Sequence, residues 1–161
     1  MKLVSALLAL LVALPAASAA QTAQAAPSSK TSLDQIKSNV ATATAGAEKE
    51  RWTANIELWD VKLAQSGKLS AAELGMMKTS LDLIKSNVAN VLYAPEKQRW
   101  EANIALWQAT FDNAGQFSPA AVTTMKGLLA VIRANVAKIT EMTEKERWEA
   151  NRDLWAGVIG K

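Results

Sequence analysis

The chain has 161 residues, with 18 Lys+Arg against 15 Asp+Glu, a formal net charge of +3, and neither cysteine nor histidine. Disulfide staples, thiolate nucleophiles, imidazole bases and the usual zinc sites are therefore excluded. A charge this mild, with basic and acidic residues interspersed, also argues against a nucleic-acid partner.

Lys2, the apolar run Leu3 to Leu14, Pro15 and the small residues Ala17-Ser18-Ala19 have the layout of a cleaved secretory signal peptide over residues 1–20. The apolar run is too short to span a bilayer comfortably, and no second such segment follows. With no cysteine and no Asn-x-Ser/Thr acceptor, export to a bacterial periplasm or the extracellular space is expected. Residues 21–30 are small, polar and turn-prone and are read as a flexible leader. A single helical-repeat domain is expected over 31–161.

That domain repeats itself. Glu48-Lys-Glu-Arg51-Trp52-Thr-Ala-Asn55-Ile-Glu-Leu58-Trp59 returns 48 residues on as Glu96 to Trp107 and again as Glu144 to Trp155, and the three copies hold all six tryptophans. Leu33, Ile36, Asn39 and Val40 return at the same interval as Leu81, Ile84, Asn87 and Val88 and as Leu129, Ile132, Asn135 and Val136. A fixed period of this size makes each copy one supersecondary unit, with repeats at about 32–79, 80–127 and 128–161.

In chain order, a helix is predicted over 31–44, capped by Ser32 with Gln35. The next, 48–65, carries Trp52, Ile56, Trp59 and Leu63 at 4-3-4 spacing and stops before Gly67. Ser70 with Glu73 opens 71–92, where Leu74, Met77, Leu81, Ile84, Val88 and Val91 recur at 3-4-3-4-3. Pro95 opens 95–112, with Trp100, Ile104, Trp107 and Phe111, ending before Gly115. Ser118-Pro119 opens 119–140, with Val122, Met125, Leu129, Ile132, Val136 and Ile139, and Thr143 with Glu146 caps 144–158. The short connections make neighbours antiparallel. The fold class is all-α: three tandem hairpins in a six-helix stack, either bundle-like or a short α-solenoid. The 3-4 spacing favours the bundle.

On a helical wheel Trp52, Ile56, Trp59 and Leu63 form one apolar stripe, with Asn55 and Arg51 on its flank. Both indoles of each copy are expected in the core. The competing arrangement puts an indole, an amide and a guanidinium per repeat along an exposed groove. The candidate binding residues are then Asn39, Asn55, Asn87, Asn103, Asn135 and Asn151, Arg51, Arg99 and Arg147, and Trp52, Trp59, Trp100, Trp107, Trp148 and Trp155. Centring the first turn near residue 47 sets Asn39 opposite Asn55, so a hydrogen bond across each hairpin is expected. Glu48, Glu96 and Glu144 suit first-turn positions and pair within their helix with Arg51, Arg99 and Arg147.

No phosphate loop, Ser-x-x-Lys or calcium loop occurs, and no cofactor or metal is expected. The function expected is that of an exported, non-catalytic interaction or scaffold module binding a protein or extended peptide through a helix face or groove. The alternative is a binder of cell-wall glycan or lipid through exposed tryptophans.

Overall fold

The computed structural model describes residues 28–160, all in helices and short connections. The expected signal peptide, residues 21–27 of the expected leader, and Lys161 lie outside the described residues. Six helices follow in order: α1 (Ser29–Ala41), α2 (Ala47–Ala64), α3 (Ala71–Val88), α4 (Ala94–Asp112), α5 (Pro119–Val136) and α6 (Met142–Ile159).

The helix starts follow local hydrogen bonding. Ser70 forms its capping box with Glu73, and Ser118 caps α5 ahead of Pro119. Two starts differ from expectation. Ser28, not Ser32, caps α1, so the helix takes in Ser29 and Lys30 of the expected leader. The Glu141 carboxylate caps α6, accepting from the backbone N–H groups of Thr143 and Glu144. Glu146 is unavailable for the Thr143 box because it accepts from Gln35 and Asn39 on α1. Helices α3 and α5 stop before their apolar pattern does, yet Val91 and Ile139 remain buried because the following turns fold them back onto the core.

Neighbours in sequence are neighbours in space, and α6 packs on α1 as intimately as α2 does on α3 and α4 on α5. This last contact closes the six helices into a ring, which selects the bundle over the open solenoid. The most intimate pairs lie across repeat boundaries, α2–α3, α4–α5 and α6–α1, while the helices within each hairpin touch less. Because directions alternate, α2, α4 and α6 are parallel and related by a pseudo-threefold axis.

The ring is filled from two sets of side chains. Helices α1, α3 and α5 supply Ile36, Ile84 and Ile132 with their flanking aliphatics; α2, α4 and α6 supply the six indoles with Leu58, Leu106 and Leu154. Ile56, Leu63 and Ile104, expected at the centre of the stripe, are only partly buried, while Arg51, Ala54, Asn55 and Leu58 are fully enclosed. The inward face of α2 is therefore centred on Asn55.

All six tryptophans have at most 1 % of their surface exposed. Trp107→Ala is expected to cost about 3–5 kcal/mol in urea denaturation. In the intact protein the emission should be blue-shifted and resistant to acrylamide. A red-shifted, readily quenched spectrum would contradict the enclosed arrangement.

Candidate functional site

The repeated motif builds tiers along the pseudo-threefold axis. Trp52, Trp100 and Trp148 form one triangle, with ring centroids 4.9–5.0 Å apart and the rings strongly inclined to one another. Two turns on, Trp59, Trp107 and Trp155 form a second, at 4.5–4.7 Å. Such edge-to-face contacts place the positive ring edge on a neighbour's negative face.

Between the triangles lies a closed ring of amides. Asn55 Nδ2 donates to Asn151 Oδ1 at 3.0 Å, Asn151 Nδ2 to Asn103 Oδ1 at 3.1 Å, and Asn103 Nδ2 to Asn55 Oδ1 at 2.9 Å. Each Oδ1 also accepts an indole N–H: Trp59 donates to Asn151 at 2.8 Å, Trp107 to Asn55 at 3.0 Å, and Trp155 to Asn103 at 2.8 Å. All three asparagines are fully buried. An indole can be enclosed without penalty only if its N–H finds an acceptor, and the three amides supply the acceptors for the second triangle.

Above the first triangle the charged opening of each motif forms another ring. Arg51 Nη2 donates to Glu96 at 2.6 Å, Arg147 Nη2 to Glu48 at 2.5 Å, and Arg99 Nη2 to Glu144. These pairs replace the expected Glu48–Arg51 type within one helix. The arginines are buried, and each guanidinium carbon lies over the indole of the helix it reaches: Arg51 over Trp100 at 5.5 Å, Arg99 over Trp148 at 5.4 Å, Arg147 over Trp52 at 5.7 Å. Burial pushes the Glu144 carboxyl above its ordinary value, against the opposing pull of Arg99 and with help from Glu96 and Glu48. Hydrogen bonds at the starts of α3 and α6 hold Glu73 and Glu141 below theirs.

The other asparagine row does not face the first. Asn39 Nδ2 donates to Glu146 at 3.1 Å and Asn87 Nδ2 to Glu50 at 3.2 Å, each linking an outer helix to the inner helix of the neighbouring repeat. The corresponding position beside Asn135 is Gln98; Asn135 instead donates to Val131 O and accepts from Lys138. The expected Asn39–Asn55 bond is thus absent, because Asn55 points to the axis and Asn39 to the α1–α6 contact. Of the candidate residues, the six indoles, three arginines and Asn55, Asn103 and Asn151 converge on the axis, where the chain's own groups occupy them.

The surface feature absent from the sequence reading is a cleft of about 870 Å³ at the C-terminal ends of α2 and α6. Its origin is a break in the pseudo-symmetry. Leu69, in the α2–α3 connection, tucks against Gly115 in the α4–α5 connection, with Leu69 N donating to Ala114 O at 3.0 Å. Phe117 is the counterpart of Leu69 one repeat on. It has no third connection to enter among the described residues, since α6 meets α1 by packing alone. Phe117 therefore borders the cleft with Val122, Val158 and Ile159. Gln65 lines it too, and both polar atoms of its side-chain amide are enclosed without a hydrogen-bond partner among the described residues. Lys62 donates to Gly115 O at 3.2 Å and lies 5.9 Å from the Phe117 ring centroid. The spaced 48-residue copies of Leu69 and Phe117 were the one sequence signal that could have pointed here.

Comparison with protein-family models, curated proteins and solved structures finds no match to this chain. Among the described residues no cluster of acidic side chains is disposed to hold a metal, and no helix is long and apolar enough to cross a membrane.

Asn103→Ala orphans the Trp155 indole N–H and one Asn151 amide hydrogen. At about 1–3 kcal/mol for each buried orphan, urea denaturation should show a loss of about 2–6 kcal/mol. Asn87→Ala, at the exposed Glu50 contact, should cost about 1 kcal/mol or less. Equal losses at the two positions would contradict the axial ring.

The folded chain binds the Glu144 proton more tightly than the unfolded chain does. This group's contribution to stability therefore falls as pH rises from 4.5 toward the raised value. Glu73 and Glu141 act oppositely, their contribution fading as pH falls below 4.5. Side-chain carboxyl NMR should place the Glu144 midpoint above that of Glu73; the reverse order would refute the assignment.

Proposed function

We propose that the protein is a non-catalytic binding module that holds an extended segment of a partner protein in the end cleft. The observation that carries this reading is the Gln65 amide, enclosed at the wall of a cleft of mixed polar and apolar lining with neither its donor nor its acceptor paired within the described residues. A buried amide without partners is costly. An extended peptide offers an N–H and a C=O side by side, and its side chains suit the walls formed by Phe117, Val122 and Val158.

The axis supports the same division of labour. Its tryptophans, amides and arginines are engaged with one another, which makes a rigid frame and leaves recognition to the periphery. The enclosed indoles also remove from the surface the stacking faces that a glycan-binding or lipid-binding row would use. An exported setting, periplasmic or extracellular, is part of the proposal and rests on the composition of residues 1–20.

The test is selection from a displayed random-peptide library on the intact protein and on Val122→Trp, which fills the cleft. Enriched peptides should bind the former and lose at least about tenfold in affinity on the latter. Enrichment of nothing, or equal binding to both, would remove the cleft as a peptide seat.

A further inference from the structure

The third repeat departs from the other two along one strip of surface. In the first, Lys37 pairs with Asp60 at 2.6 Å. In the second, Lys85 donates to Gln108 at 3.4 Å and lies 3.7 Å from Asp82. In the third, Arg133 takes the position of these lysines, while Ala156 stands where Asp60 and Gln108 stood and Ala130 where Asp82 stood. Arg133 accordingly has no ion pair among the described residues. Two turns earlier on the same face of α5 is Lys126, also without one. From Asn113 to Thr140 the chain contains Lys126, Arg133 and Lys138 and not a single Asp or Glu.

Lys126 and Arg133 flank Leu129, Ala156 and Ile159 in a shallow groove of about 260 Å³ between α5 and α6. This groove shares Lys126, Ile159 and Gly160 with the end cleft and so continues it. Neither depression has an acidic residue in its lining. An unmatched cation beside apolar surface favours a ligand that brings both a carboxylate and an apolar group.

We propose that the cleft and its extension bind an acidic peptide segment, with its backbone on Gln65, apolar side chains against Phe117 and Val122, and carboxylates on Lys126 and Arg133. The proposal rests on the peptide-binding reading of the cleft and adds the sign of the partner's charge. Three cationic side chains, Lys62, Lys126 and Arg133, line the cleft and its extension, too few for a nucleic-acid backbone, whose binding neutralises many phosphates at once.

The test uses a fluorescein-labelled peptide alternating leucine with glutamate and serine, its counterpart with lysine for glutamate, and phosphatidylglycerol vesicles. Fluorescence anisotropy reads the peptides on the intact protein. The acidic peptide should bind with an affinity that falls as salt is added. The lysine peptide should bind at least about tenfold more weakly. Lys126→Glu with Arg133→Glu should reverse the preference, and circular dichroism melting checks that this variant folds. If it does not, Arg133→Gln serves, and should weaken the acidic peptide alone. Equal binding of the two peptides overturns the charge preference while leaving the peptide seat standing. Binding of neither overturns both. Vesicles that bind as tightly as the acidic peptide, and lose binding in the charge-reversed variant, would make the site one for an anionic surface and overturn the proposal.

Discussion

Three amides in the middle of a hydrophobic ring fix where everything else must stand. Each Oδ1 of Asn55, Asn103 and Asn151 receives two hydrogen bonds, one from an amide and one from an indole. The cycle tolerates no sliding, because a shift of one inner helix by one residue rotates its asparagine by about 100° away from the axis. Displacement would leave two buried donors, an amide and an indole N–H, unpaired on one neighbour and a buried amide oxygen without its amide donor on the other. The constant 48-residue interval is the sequence-level expression of this requirement, and the indoles on either side of the amides inherit their positions from it.

The bonds along the axis have a sense of rotation. Amides and indoles donate from α2 to α6, α6 to α4 and α4 to α2, whereas the arginines reach the other way, from α2 to α4, α4 to α6 and α6 to α2. Each inner helix is thus tied to both neighbours at its charged end and again at its centre, with the direction of donation reversed between the two levels. Buried ion pairs contribute little net stability once desolvation is counted, and their better-attested role is to fix register. Here the guanidiniums also cover indole faces, so the charged ring doubles as a lid over the first tryptophan triangle.

Much of the fold was legible in the sequence because helical periodicity and capping are local. The apolar recurrence through Met77, Leu81 and Ile84 located α3, and Ser70 with Glu73 located its start. The partner of Asn55 was not legible for a physical reason. A wheel shows which residues share a face, but three identical inner helices and a hairpin neighbour all offer asparagines, and only ring closure chooses among them. The same ambiguity placed Asn55 on the flank of the tryptophan stripe, whereas the buried face is centred on it. Thr143 and Glu146 show tertiary contacts overriding a local cap, since Glu146 is drawn to Asn39. The repeated pair Leu69 and Phe117 marks where the cleft lies, but the cleft itself arises from a missing equivalence, Phe117 without a loop to enter, and a repeat pattern advertises only what recurs.

Five of the six helix junctions are covalent, and the α6–α1 junction is held by side chains alone. Its persistence therefore depends entirely on how closely α1 packs against α6, which is as intimate as the packing at the tightest covalently linked junctions. In a linear array fraying would stay at the end. In a closed ring, lifting α1 strips the cover from α6, which bears one of the three amides, so loosening at the edge is transmitted to the axis. Whatever secures the α1–α6 contact therefore bears on the persistence of the whole ring.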